Sequence, residues 1–253
     1  HATIRRQRQM CIRDSRKTPY FDGIKIYKHF ADNAADEETK QLYVDTLMMV
    51  YYKRIECFGE RGYVIGRMAY DILKYRKSAE DLIRSLIAES IELRGDTTDY
   101  FLLYPYFMYN KKAWAEKKID DDALLEIYDQ LIAIAENNAN NEKSADKYEA
   151  SKAKIDKAFP TDLLQCDRLI PRINKHFADK KNDTLQLKKW FNLLRKGACL
   201  DDTTYFTVGN RIWELDPSCE LANALSAYLV KNERASEAMD FYIACFDLEE
   251  DAE

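Results

Sequence analysis

Glycine and proline are scarce, at seven and five in 253 residues, and their scarcity removes most routes to a sheet. Strand ends and tight hairpins draw on both, so helices joined by short polar turns are the expected build. Histidine is scarcer still: His1, His29 and His176. Neither internal histidine follows a Glu by three positions and no H-E-x-x-H occurs, which excludes the helix-borne zinc and di-iron patterns. No G-x-S-x-G elbow is present, and the local glycines Gly59, Gly62 and Gly66 lack the G-K-[ST] ending of a phosphate loop. No run of 18 apolar residues occurs, so no membrane-spanning helix is expected. An apolar leader segment is also missing from the start of the sequence.

Six cysteines are present, at 11, 57, 166, 199, 219 and 245, with no C-x-x-C pair. Cys57 and Cys245 fall on apolar helical faces, where a thiol packs as a small buried residue, so reduced cysteines are the expectation. Hydrophobic residues make up 46% of the chain and charged residues 33%, enough for a substantial core beneath a well-solvated surface. The net charge of −5 gives no general case for nucleic acid.

Charge is unevenly spread. Residues 1–18 hold six Arg or Lys against one Asp, a local +5 that leaves −10 on the remainder. A basic arm can bind RNA or an anionic surface, and it can equally be a disordered tail. Within it, residues 6–15 (RQRQMCIRDS) read as translated sequencing-adaptor sequence fused to the reading frame, so the arm is set aside from functional reasoning.

From Pro19 the apolar residues take helical spacing. Phe21, Ile24, Tyr27 and Phe30 form one face, and a second helix runs through Leu42, Met49 and Ile55 to Gly59, a C-terminal cap. A second pair spans about 62–75 and 79–93, with Ser78 as its N-cap and Gly66 and Ala69 as points of close helix contact. The aromatic-rich stretch 100–114 follows, with Pro105 bending or interrupting it and core filling its expected role. The acid clusters Asp120 to Asp122 and Asp201–Asp202 read as helix caps rather than cation sites. Pro160 breaks the chain, Asp183 starts another helix, and Pro171 marks a possible kink. Helical pairs are thus expected to begin near 22, 63, 98, 142, 184 and 219, a period of roughly 35 to 44 that belongs to helical-repeat arrays.

The last pair, 217–250, is the most regular. Ala222, Leu225, Ser226, Leu229, Ala238, Tyr242 and Glu250 stand at the spacings W-x2-L-G-x2-Y, A-x3-F and P, so the hairpin resembles a tetratricopeptide repeat. Ala222 stands in place of the aromatic and Glu250 in place of the proline; Asp216–Pro217 upstream resembles the close of a preceding repeat. On this pattern Tyr242 fills the seam between the two helices. Residues 158–250 are similar to the C-terminal part of divergent tetratricopeptide proteins of Bacteroidetes, and 42–58 to their N-terminal part. The resemblance implies an all-α, right-handed α-α superhelix over 19–253, with the most regular repeat at 218–250 and an incompletely sealed end.

What the resemblance implies functionally is a non-enzymatic scaffold that binds a peptide or protein partner on its concave face. Asn223, Ala227 and Lys231 are the groove-facing candidates, since Leu225 and Leu229 turn inward. The paired Asn and basic residues with which some relatives hold a C-terminal carboxylate are not matched, because the second Asn position is Ala227. No catalytic residue, cofactor, metal or nucleic-acid partner is expected, and the oligomeric state is not set. Family members often carry an export signal ahead of this region, which points to the cell envelope. The alternative is a helical enzyme or small-ligand-binding protein with a site in 100–114, using Tyr104 or Asp99.

Overall fold

A computed structural model describes residues 16–140 and 143–250, with the side chains of 249 and 250 outside the description; the first 15 residues, most of the basic arm, and the acidic tail 251–253 also lie outside it. Among the described residues the structure is all-helical, with twelve α-helices and no strand. The chain divides into two compact units, His1–Phe159 and Pro160–Glu253.

The first unit holds α1 (Thr18–Asp32), α2 (Glu37–Phe58), α3 (Arg61–Tyr75), α4 (Glu80–Arg94), α5 (Tyr100–Ala115), α6 (Asp121–Asn137) and α7 (Ala145–Ala158). α1 pairs with α2 and α3 with α4, as helical hairpins, while α5 packs against both α6 and α7. Local chemistry sets the boundaries. Asp36 and Asp120 accept the backbone N–H groups of Thr39 and Ala123, satisfying orphan donors at the starts of α2 and α6. Gly59 and Glu60, both at positive φ, turn the chain from α2 into α3. Ser78 does not cap α4: Ala79 holds that position without a side-chain bond.

Small residues bring α3 and α4 together. A methyl placed on Gly66 would meet Ser90 Oγ at 2.6 Å and Leu102 Cδ1 at 2.8 Å. Ser90 is fully buried and donates to the Gly62 carbonyl at 2.8 Å, which satisfies its hydroxyl inside the core. Around this contact Leu47, Ile65, Met68, Ile72, Ile83 and Ile87 are buried, each contributing about 1.5–3 kcal/mol by leaving water. The aromatic stretch serves the core as well: Tyr106 and Phe107 are buried, and Phe107 stacks with Phe159 at 6.3 Å between centroids. α5 runs without interruption through Pro105.

The pair expected from about 142 is divided. α7 completes the first unit, where the Tyr148 hydroxyl donates to the Thr98 carbonyl and Ser151 Oγ to the Tyr100 carbonyl. Those two bonds commit its inner face to the start of α5 and the residues just before it, and the chain then breaks at Pro160.

The second unit holds α8 (Cys166–Lys180), which runs unbroken through Pro171, α9 (Thr184–Lys196), α10 (Thr203–Leu215), α11 (Cys219–Lys231) and α12 (Ala235–Glu250). α9 pairs with α10 and α11 with α12. Asp183, Asp202 and Ser218 cap α9, α10 and α11 by accepting from backbone N–H groups. Ala222, Leu225, Ser226, Leu229 and Ala238 are all buried, and Ser226 Oγ donates to the Ala238 carbonyl across the seam at 3.1 Å.

Two expectations are overturned in this unit. The cysteines are not reduced: Cys166 bridges to Cys199 and Cys219 to Cys245, with Cα separations of 5.6 and 5.0 Å, and Cys57 in the first unit is also disulfide-bonded. Nor does Tyr242 fill the hairpin seam, for it is exposed. α12 is rotated so that Ala238, Phe241 and the bridged Cys245 share the face toward the rest of the unit. Phe241 then meets Trp213 edge-on at 5.4 Å, while Met239, Tyr242, Ile243 and Phe246 face solvent.

Candidate functional site

The first helices of the two terminal hairpins, α9 and α11, frame a depression of about 270 Å³ in the second unit. Helical spacing explains its walls. On α9 the apolar positions Leu187, Phe191 and Leu194 are buried, which leaves Lys188, Asn192 and Arg195 exposed on the adjoining stripe at i, i+4 and i+7. Phe191, Ile212 and Leu221 supply the apolar floor, and Asp216, Ser218 and Glu220 the facing rim.

Opposite charges meet across this rim. Lys188 Nζ pairs with Asp216 at 2.5 Å and Arg195 with Glu220 at 3.1 Å. All four side chains are about half exposed or more, so each pair contributes at most about 1 kcal/mol and exchanges readily with an incoming charged group. Asn192, between the two cations, offers an amide with both donor and acceptor capacity.

Asn223, Ala227 and Lys231 continue the stripe that Glu220 begins on α11, and all three are exposed. They lie beyond the lining of the depression, and Lys231 is engaged by Asp201 through a short ion pair. The structure therefore puts the concavity beside α9 residues that the sequence reading passed over. The signal was available as a polar stripe at i, i+4, i+7 beside a buried apolar one, but it is shared by every surface helix and has no distinguishing residue.

In the first unit, polar groups at depth are spent on structure. The Asp71 carboxylate is buried and accepts from Lys28 Nζ and from the Tyr51 hydroxyl, both at 2.6 Å. Burial, and then the neighbouring Asp71 charge, pushes the Tyr51 hydroxyl far above its ordinary value, so it stays protonated as a donor. Tyr128 is raised in the same way by burial and by its bond to Asp156 at 2.5 Å. Asp99, a candidate at the edge of the aromatic stretch, pairs with Arg94 at 2.5 Å, and Tyr104 is half-buried on α5. Asp120 and Asp202 are consumed as helix caps, and Asp121 accepts from the Trp114 indole at 2.7 Å.

Among the described residues no helix is long and apolar enough to cross a membrane, and no group of three or more His, Cys, Asp or Glu is placed to hold a metal ion. The chain matches no protein-family model and no curated protein.

Proposed function

We propose that this protein is a non-enzymatic interaction scaffold that binds a peptide or protein partner on a groove formed by the first helices of its hairpins, in a tetratricopeptide-like superhelical array. The observation that carries the reading is the depression between α9 and α11, where an apolar floor is bordered by an amide and two loosely held ion pairs. Such a surface takes an extended segment: the floor accepts an apolar side chain, Asn192 at its border and Asn223 on the exposed stripe beyond it can bond its backbone, and the ion pairs can open to meet charges of either sign. Buried hairpin seams hold the surface rigid, so little ordering entropy is lost on binding. The disulfides favour an oxidising compartment, consistent with the export that the Bacteroidetes resemblance implies.

A phage-displayed peptide library selected against the whole protein tests this. Selected peptides are expected to bind the wild type and to lose about tenfold or more in affinity to the N192A/N223A double variant, a loss of about 1.4 kcal/mol. Failure to select any peptide, or peptides insensitive to that variant, would overturn the groove.

A further inference from the structure

Three guanidinium groups surround one ring in the first unit. The Arg54, Arg67 and Arg94 carbons stand 5.5, 5.4 and 5.4 Å from the Tyr63 centroid. Arg54 Nη2 pairs with Glu60 at 3.0 Å and Arg94 with Asp99 at 2.5 Å. Arg67 is exposed, lies 4.6 Å over the Phe101 ring, and has no carboxylate within ion-pair distance among the described residues. Arg54, itself buried, also leaves its Nε without an acceptor. The cluster is therefore short of negative charge and of hydrogen-bond acceptors at the same time.

Stacking fixes what Arg67 can do. Aromatic rings occupy the faces of a guanidinium and leave its N–H edges free, the edges that meet a carboxylate through two parallel bonds. Next to it, Tyr70 is 46% exposed and meets Phe101 edge-on at 4.8 Å, which provides an apolar shelf one helical turn away on α3. We propose that this face of α3 and α5 is a second binding surface, separate from the α9–α11 groove, for an acidic peptide segment: one carboxylate engages Arg67 and the adjoining apolar side chain rests on Tyr70 and Phe101. The charge balance selects this occupant over a polyanion. Arg67 is the one guanidinium of the three without an ion pair, which suits a single carboxylate, whereas a nucleic-acid strand needs several phosphates neutralised and meets a chain of net charge −5.

The arginine Nε–Hε resonances of the whole isotope-labelled protein, with Arg67 assigned through R67K, report binding directly. Titration with acetyl-Glu-Leu-amide is expected to shift the Arg67 resonance saturably in the millimolar range, and sodium acetate about threefold more weakly or less. Acetyl-Gln-Leu-amide is expected to leave it unmoved. Y70A loses the shelf and is expected to weaken the dipeptide about fivefold on the Arg67 resonance; R67K keeps the charge but loses the fork, and its similar loss is read from the ring resonances of Tyr70 and Phe101; both keep the melting temperature, whereas N192A/N223A leaves binding unchanged. No saturable shift, an equal response to acetate, or tighter binding of a ten-residue oligothymidylate would each overturn the proposal. Loss of the groove in the library selection would not bear on it.

Discussion

Gly197 sits directly beneath the Leu164 carbonyl, so that a methyl group on it would lie 2.2 Å from that oxygen. The backbone at Gly197, with φ of −78°, would accept any residue, so glycine is required here by space alone. The contact joins the end of α9 to the short 3-10 turn Thr161–Leu164, and close by the Cys166–Cys199 bridge ties the first residue of α8 to the chain just after α9. G197A is expected to destabilise the protein by about 1–3 kcal/mol, since backbone must move to relieve the overlap. Urea unfolding followed by circular dichroism measures it, with G23A as a mild control because its methyl would meet Val50 at 3.4 Å.

Disulfide loss should be felt in the second unit. The two bridges close loops with sequence separations of 33 and 26, for which the chain-entropy model gives about 3–4 kcal/mol each. C219S/C245S should lower the urea midpoint and release the outer helix first. Hydrogen exchange is expected to accelerate along α12 while α9 and α10 keep their protection.

Removing the Asp71 carboxylate tests the buried cluster of the first unit. D71A leaves the Tyr51 hydroxyl and Lys28 without their acceptor, at a cost of about 1–3 kcal/mol. Y51F removes only one donor and should cost about 0.5–1.5 kcal/mol. The double variant, read by thermal unfolding, should lose less than the sum of the singles, because once Asp71 is gone the hydroxyl has nothing to donate to.

Acid should loosen the first unit through exposed carboxylates. Hydrogen bonds from Lys17 and then Arg54 hold Glu60 below its ordinary value of 4.5, and a bond from Lys74 holds Asp32 below 3.8. Each folded-state value is depressed, so the stability these groups add is fully present above the ordinary range and is lost as pH falls through the lowered values. The urea midpoint is expected to drop between pH 5 and pH 3, and E60Q/D32N should flatten that slope while leaving the midpoint at low pH nearly unchanged.

Helix placement was readable because it depends on local chemistry. The caps at Asp120 and Asp202, the stop at Gly59 and the close approach at Gly66 follow from residue type and spacing, and the structure puts each in that role. Pairing of elements was less readable. The helix after Ser144 could turn to either neighbour on periodicity alone; tertiary bonds from Tyr148 and Ser151 decide it. The bridges were missed because cysteines far apart in sequence carry no pairing signal until the hairpins fold. The exposure of Tyr242 has a tertiary origin too, since Ala238, Phe241 and Cys245 together take the inward face of α12. The Tyr63 cluster draws Arg54, Arg67, Arg94 and Phe101 from four helices, so the aromatic density at 100–114 marked only one edge of it.

The link between Cys219 and Cys245 also encloses the turn between α11 and α12, including the exposed residues Lys231 and Arg234. A trypsin cut after either leaves two peptides held by one covalent bond and by the seam that Ser226 and Ala238 close. Such a nicked chain would run at full mass on a non-reducing gel and separate only after a thiol is added, so proteolytic damage at this turn would go unseen unless both gels are run.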